Sequence, residues 1–308
     1  MTGLIVKHTG SNYMVRSDNG ELYLSTVRGK LRLKDMKTTN PIAVGDKVKF
    51  SVIAKEKGVI IDVEPRKNYI IRRSTNLSRQ AHILAANIDK VFLIVTLTQP
   101  ETRYEFIDRF LVTAEAYKIP VWIVINKIDL LTATGLKDEL EHFKYVYSSA
   151  GYTILEVSAL KNINLDMIKA EISGKISLFS GNSGVGKSAI MNSLAPGLNL
   201  KTGEISRAHN KGMHTTTFYE MFEIDNGFVI DSPGIKGFGL IDMDKSEIYH
   251  FFPEIFRVAA GCKFGMCSHT HEPGCAVKAA VESGEISESR YISYLKIIEG
   301  DDDKYRGS

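Results

Sequence analysis

The octapeptide Gly181-Asn182-Ser183-Gly184-Val185-Gly186-Lys187-Ser188 restricts this 308-residue chain more than any other stretch. It follows a mostly apolar run at 176–179 and precedes a helix-favouring segment at 189–194, so the order reads strand, glycine loop, helix. Backbone N–H groups of such a loop converge on a phosphate, and the helix start adds partial positive charge. Lys187 can reach the β- and γ-phosphates while the Ser188 hydroxyl holds Mg²⁺. Glycine suits the loop because a side chain would block the approach. The octapeptide predicts a bound nucleotide without saying which base it carries.

The base is read further upstream. Residues 90–96 contain a continuous apolar run of the kind found in doubly covered parallel strands, and Ile107, Phe110, Leu111 and Ala114 line one helical face. A second apolar run at 121–125 ends at Asn126-Lys127-Ile128-Asp129. A carboxylate at Asp129 can accept paired hydrogen bonds from guanine N1–H and N2–H₂, which adenine cannot supply. Asn126 can tie this loop to the glycine loop, and the Lys127 stem can lie along the base. After a helix at 139–147 and a strand at 154–157 comes Ser158-Ala159-Leu160-Lys161, where a small Ala159 lets its N–H approach guanine O6.

Downstream of the glycine loop, 203–217 is rich in Gly, His and Thr and reads as a loop. Thr215, Thr216 or Thr217 could place a hydroxyl on Mg²⁺, Thr216 being the expected ligand beside Ser188 and Asp231. A hairpin turning at Asp225-Asn226-Gly227 delivers Asp231-Ser232-Pro233-Gly234. There Asp231 is expected to serve the Mg²⁺ shell and the Gly234 N–H to sense the γ-phosphate. The guanine-reading pair thus precedes the phosphate-reading trio, the order of a GTPase cut and rejoined. A parallel sheet tolerates that when the original ends lie close together on the surface.

The amino-terminal part has a different character. Through residue 80 the chain carries 16 Lys and Arg against 7 Asp and Glu, and the remainder carries 23 against 29. Five short β-rich runs in this segment predict a small closed barrel of the OB type. Arg28, Lys30, Arg32 and Lys34 alternate on one side of an extended segment, with Arg66, Lys67, Arg72 and Arg73 at the exit, so a polyanion such as RNA is the expected partner.

At the other end, the apolar cluster Ile248, Phe251, Phe252, Ile255 and Phe256 is interrupted by Pro253, which predicts two short helical turns. Cys262, Cys267, His269 and Cys275 follow, three thiols and an imidazole that complete a closed, structural Zn²⁺ shell, with His271 as the alternative fourth ligand. Two closing helices are expected beyond it. All three cysteines lie in this cluster, which suits a reducing compartment rather than a disulfide framework. Neither a secretory leader nor an apolar stretch of bilayer length is evident, so a cytoplasmic location is expected.

The permuted order, Gly212-Met213-His214-Thr215-Thr216-Thr217, Asp231-Ser232-Pro233-Gly234, and the Cys/His cluster with Glu272-Pro273-Gly274-Cys275 together resemble the ribosome small-subunit-dependent GTPase A family. The resemblance covers nearly the whole chain. It implies an OB domain at 1–70, a circularly permuted α/β P-loop GTPase domain at 71–244 and a helical zinc domain at 245–308. It also implies a protein, expected to be monomeric, that binds the 30S subunit and its 16S rRNA late in assembly and hydrolyses GTP to GDP when the subunit stimulates it. By the same resemblance His214 matches a histidine proposed to act in catalysis, able to position or deprotonate water. Ile235 stands where Ras-like enzymes carry a water-orienting Gln, so intrinsic hydrolysis is expected to be slow. Met213 replaces a residue that is basic in many relatives. Two other readings stay open: a GTP-controlled RNA-binding module whose hydrolysis is incidental, and a small-metabolite kinase, which Asp129 disfavours.

Overall fold

The computed structural model describes residues 1–9, 12–28, 42–73, 81–200, 220–231 and 243–300. Three strands run in the order β10-β9-β8, namely β8 (Lys90–Val95), β9 (Val121–Ile125) and β10 (Thr153–Glu156), and three in the order β11-β13-β12, namely β11 (Ile176–Ser180), β12 (Met221–Ile224) and β13 (Gly227–Asp231). The pairs β9–β10 and β11–β13 are parallel, and β12–β13 is an antiparallel hairpin. The chain divides into two compact units that do not follow chain order. One comprises Met1–Val91, Leu165–Ser180 and Lys187–Ile235, the other Phe92–Asn164, Gly181–Gly186 and Lys236–Ser308.

In the first unit, β1 (Thr2–Thr9), β2 (Asn12–Ser17), β3 (Leu22–Val27), β4 (Lys47–Ala54) and β5 (Lys57–Val63) close a barrel in the order β1-β2-β3-β5-β4. All its described pairings are antiparallel except β3–β5, which is parallel. Alternating side chains fill the interior, chiefly Ile5, Tyr13, Val15, Ile42, Val48, Phe50, Ile60 and Val63. A second hairpin follows, β6 (Tyr69–Arg73) with β7 (Ala81–Ala86), which periodicity alone did not suggest. The β12–β13 turn holds Asp225 and Asn226 at φ of 50° and 60°, the left-handed pair that a two-residue hairpin requires.

One expectation for the basic segment is corrected here. The sequence places Arg66 among the phosphate-contacting residues, but its Nε and Nη2 each donate at 2.6 Å to the fully buried Asp46 carboxylate, which also accepts the Ala43 N–H at 2.8 Å. A guanidinium committed to a buried carboxylate in two-pronged geometry is not available to RNA, because withdrawing it would leave a buried charge uncompensated. Lys67 pairs with Asp89. Arg28 is exposed, whereas Lys30, Arg32 and Lys34 lie outside the described residues. Lys47, Lys49, Lys55 and Lys57 are also exposed, on β4, β5 and the turn that joins them.

In the second unit, α1 (Tyr104–Ala116) buries Ile107, Phe110, Leu111 and Ala114, the face expected from their spacing. Also present are α2 (Ile128–Thr134), α3 (Lys137–Ser149) and a carboxy-terminal helical group comprising a 3₁₀ segment Lys245–Phe251 and helices Pro253–Ala259, Ala276–Glu282 and Glu288–Glu299. Pro253 opens its helix at the first position, where the missing N–H costs nothing. Val112 of α1 joins the apolar core that Ile248, Phe252, Ile255, Val277, Tyr294 and Ile297 form in the helical group.

The same junction carries a buried ionic cluster. Arg290 is fully buried and donates from Nη1 to Asp108 at 2.8 Å and from Nε to Glu254 at 2.7 Å, while Tyr147 donates its hydroxyl to Asp108 at 3.0 Å. Its guanidinium lies 4.6 Å from the Phe252 ring centroid. Burial opposes the charge, but Asp108 and Glu254 outweigh it and hold Arg290 firmly protonated. Arg290→Met strands two carboxylates and is expected to lower stability by about 3–5 kcal/mol. The check is the urea midpoint of the full chain. Adding Asp108→Leu and Glu254→Leu should recover most of the loss.

Candidate nucleotide and metal sites

Four of the five residues of β11 are buried, and the strand ends at Ser180, from which the glycine loop runs to the start of α5 (Lys187–Leu194), the helix that follows α4 (Leu165–Ile172). Gly181, Gly184 and Gly186 have φ of 145°, 85° and 98°. A Cβ on Gly181 would overlap the Ile94 carbonyl oxygen, and one on Gly186 the Asn126 amide nitrogen. These two positions therefore need glycine for both conformation and space. Val185 between them is fully buried and pins the loop, while Asn182 is half-buried and Ser183 exposed.

Asn126, at the end of β9, is buried and holds three segments of the second unit together. Its N–H donates to Val95 O at 2.9 Å, its side-chain Nδ2 to Val185 O at 2.8 Å, and its Oδ1 accepts the Ala159 N–H at 3.1 Å. The sequence aimed that Ala159 N–H at guanine O6. In this structure it serves Asn126, so a base that takes it has to share it with, or displace it from, the Asn126 oxygen. Asp129, half-buried, accepts the hydroxyl of the buried Ser158 at 2.5 Å. Ser158 in turn accepts the Lys161 N–H at 3.1 Å, which fixes the tetrapeptide as a tight turn. Lys127 sits at φ 66° and donates its amine to Gln99 O. Burial lowers the basicity of this amine, and the neighbouring Asp129 opposes the shift.

In the first unit, Lys187 and Ser188 form the first turn of α5, and Asp231 ends β13, in register with Phe179 of β11. Burial lowers the Lys187 amine and raises the Asp231 carboxyl, each shift being opposed by the other residue's charge. The Asp231 Oδ1 atom is buried and has no hydrogen-bond partner among the described residues. An orphaned carboxylate oxygen together with a serine hydroxyl is the hard-oxygen donor set that suits Mg²⁺. His214, Thr215, Thr216, Thr217 and Gly234, like Met213 and Ile235, lie outside the described residues.

Cys262, Cys267, His269 and Cys275 converge in the second unit with all four ligand atoms within 4.8 Å of one another. His269 Nδ1 lies 3.5 Å from Cys262 Sγ and 3.6 Å from Cys275 Sγ, and these two sulfurs are 4.0 Å apart. A tetrahedron with metal–sulfur bonds of about 2.3 Å and a metal–nitrogen bond of about 2.0 Å has edges of about 3.5–3.8 Å, so the cluster is already of the right size. Burial and the neighbouring Cys275 and Cys262 thiols push Cys267 up to about 12. A divalent cation reverses that balance and binds the sulfurs as thiolates. His271 is exposed, and its Nδ1 meets the Thr270 hydroxyl at 2.8 Å instead of joining the cluster. Glu272 gathers the Ser268 N–H at 2.6 Å, the Ser268 hydroxyl at 2.7 Å and the Thr270 N–H at 3.1 Å, closing the ligand loop. Tyr291 and Tyr294 donate hydroxyls to the carbonyls of His269 and Ser268 at 2.7 and 2.8 Å. Sequence reasoning missed the two tyrosines, since they come from a helix and lie 22 and 26 residues beyond the carbonyls they meet.

Two family models match the chain, the RsgA N-terminal domain over residues 2–60 and the RsgA GTPase over residues 63–241. Among curated proteins, the small ribosomal subunit biogenesis GTPase RsgA 2 of Bacteroides thetaiotaomicron is 53% identical over 310 residues, covering 100% of both chains. A Bacteroides fragilis protein named small ribosomal subunit biogenesis GTPase RsgA is 52% identical, again covering 100% of both. Among solved structures, YjeQ from Thermotoga maritima matches with a TM-score of 0.79 and 35% identity over 100% of this chain and 99% of that one. YloQ, described as a circularly permuted GTPase, matches with a TM-score of 0.75 and 27% identity over 98% and 95%.

Proposed function

The chain belongs to the RsgA GTPase family, and from that premise we propose that it hydrolyses GTP while bound to the small ribosomal subunit, as a step in the maturation of that particle. The observation that carries the nucleotide reading is the Asn126 side chain, which joins the Val185 carbonyl of the glycine loop to the Ala159 N–H of the base-side turn. Loops read from separate motifs are thereby braced against each other, as a site that measures base and phosphate together requires. In this reading Asp129 accepts guanine N1–H and N2–H₂, held by the Ser158 hydroxyl. Lys127 flanks the base, and the N–H groups of Gly181 to Ser188 surround the phosphates with Lys187.

Ser188, Asp231 and Thr216 are the proposed Mg²⁺ ligands; the ion when bound neutralises charge on the β- and γ-phosphate oxygens. Gly234 is assigned to sensing the γ-phosphate and His214 to orienting the attacking water. With Ile235 unable to do that work, turnover depends on a partner that brings His214 to the attacking water. The cation of the Cys262, Cys267, His269 and Cys275 cluster is proposed to be a single structural Zn²⁺, since no coordination position is left for water. We assign residues 1–70 to RNA binding, 71–244 to nucleotide turnover and 245–308 to the metal-stabilised module. The exposed lysines of β4 and β5 support contact with 16S rRNA. Among the described residues no helix is long and apolar enough to cross a membrane, and a cytoplasmic monomer is proposed.

The test is GTP turnover with and without purified 30S particles. Subunits are expected to raise kcat by about 10-fold or more. An unchanged rate overturns the ribosomal assignment, and ATP competing on equal terms with GTP overturns the guanine pocket.

A further inference from the structure

The loop that leaves β8 belongs to none of the motifs read from the sequence, yet it touches both sides of the nucleotide site within the second unit. Thr96 and Thr102 close it: the Thr102 N–H donates to Thr96 O at 2.8 Å and the Thr96 N–H donates to Thr102 Oγ1 at 3.1 Å. The Thr96 hydroxyl spans the loop to Pro100 O at 2.5 Å. Both threonines are buried, at 0% and 2% exposure, whereas Gln99 and Pro100 at the tip are exposed. Gln99 is held at φ 51°, and its carbonyl accepts the Lys127 amine. On the other side the Pro100 ring lies against Gly184, where an added Cβ would come within 3.3 Å of Pro100 Cδ.

Resting on the reading that Lys127 flanks the guanine, we propose that this loop is a positioning element for base recognition. The Gln99 carbonyl holds the lysine head so that its methylene stem lies along the base face. A four-carbon side chain has several rotamers of similar energy, so an unanchored Lys127 would have to be ordered when nucleotide binds. Anchoring it beforehand removes that cost and improves affinity without touching the reacting phosphate. Thr96 and Thr102 act through the loop, and therefore through Lys127.

The experiment is a double-mutant cycle on GTP turnover by the full chain. Thr102→Val keeps the side-chain shape but strands the buried Thr96 N–H, and is expected to raise KM for GTP about 10-fold with kcat within about twofold of the parent. Thr102→Ser should restore KM, because it keeps the acceptor oxygen. Lys127→Met should raise KM as well, and the Thr102→Val/Lys127→Met pair should be no worse than Lys127→Met alone. Thr96→Val frees only the Pro100 carbonyl at the exposed tip, and serves in the same cycle if Thr102→Val does not fold. Fully additive effects in the cycle, or kcat and thermal stability falling together with KM unchanged, would overturn the proposal. A parent protein that turns over GTP with a saturable KM while the cycle is additive leaves the GTPase reading intact and removes only this inference.

Discussion

Asp129→Asn is expected to weaken GTP binding by about two to four orders of magnitude and to make xanthosine triphosphate the better substrate. Two charge-assisted hydrogen bonds to guanine, each contributing about 1.5–3 kcal/mol, set that range. The asparagine amide keeps an acceptor for N1–H but turns its other end into a donor, which opposes the guanine N2–H₂ and matches the C2 carbonyl of xanthine. Ser158 remains able to hold the retained carbonyl, as it holds Asp129 at 2.5 Å in the parent. Competition titrations with GTP, ATP and XTP on the parent and the variant check this. Parallel weakening of GTP and XTP would mean that position 129 supports the fold of the turn rather than reading the base.

Removing the cation from the Cys/His cluster is the second large effect. Structural Zn²⁺ contributes an apparent ~10–16 kcal/mol in small zinc modules at neutral pH, as much as the whole stability of a typical domain. Here part of that energy is replaced by the apolar core that Cys267 and Cys275 share with Phe252, Tyr294 and Val112 of α1. The expected outcome is one zinc per chain by elemental analysis and a thermal transition lowered by tens of degrees after chelation. Cys267→Ser should lose the metal and melt early, while His271→Ala should keep one zinc and melt like the parent, since His271 faces Thr270 rather than the cluster. A full complement of metal in Cys267→Ser, or its loss in His271→Ala, contradicts the ligand set. Metal-free parent protein that melts unchanged contradicts the structural role.

The architecture was largely legible in the chain because its signals are local. An apolar run ending in a glycine loop, or one ending in Asn126-Lys127-Ile128-Asp129, fixes strand, turn and helix within about ten residues. The order of those segments revealed the permutation, and the solved circularly permuted relative agrees with it. The β6–β7 hairpin was not legible, since its strands carry neither a two-residue turn signal nor clear alternation. The role of one charged residue was not legible either. Arg66 looked like its basic neighbours, and only the folded chain brings the buried Asp46 under it.

The sequence by itself determined most of the elements, their faces and the chemistry available at each strand end, because backbone geometry and donor or acceptor type are properties of a few adjacent residues. Tertiary structure alone decided which of those groups are already engaged. Arg290 meets an aspartate 182 positions away, Lys127 finds the Gln99 carbonyl 28 positions back, and the Ala159 N–H is taken by Asn126, 33 positions earlier. The reason is that a hydrogen bond is decided by proximity within a few tenths of an ångström and by exclusion of water. Both arise from packing of the whole chain, and neither leaves a periodic trace in its sequence.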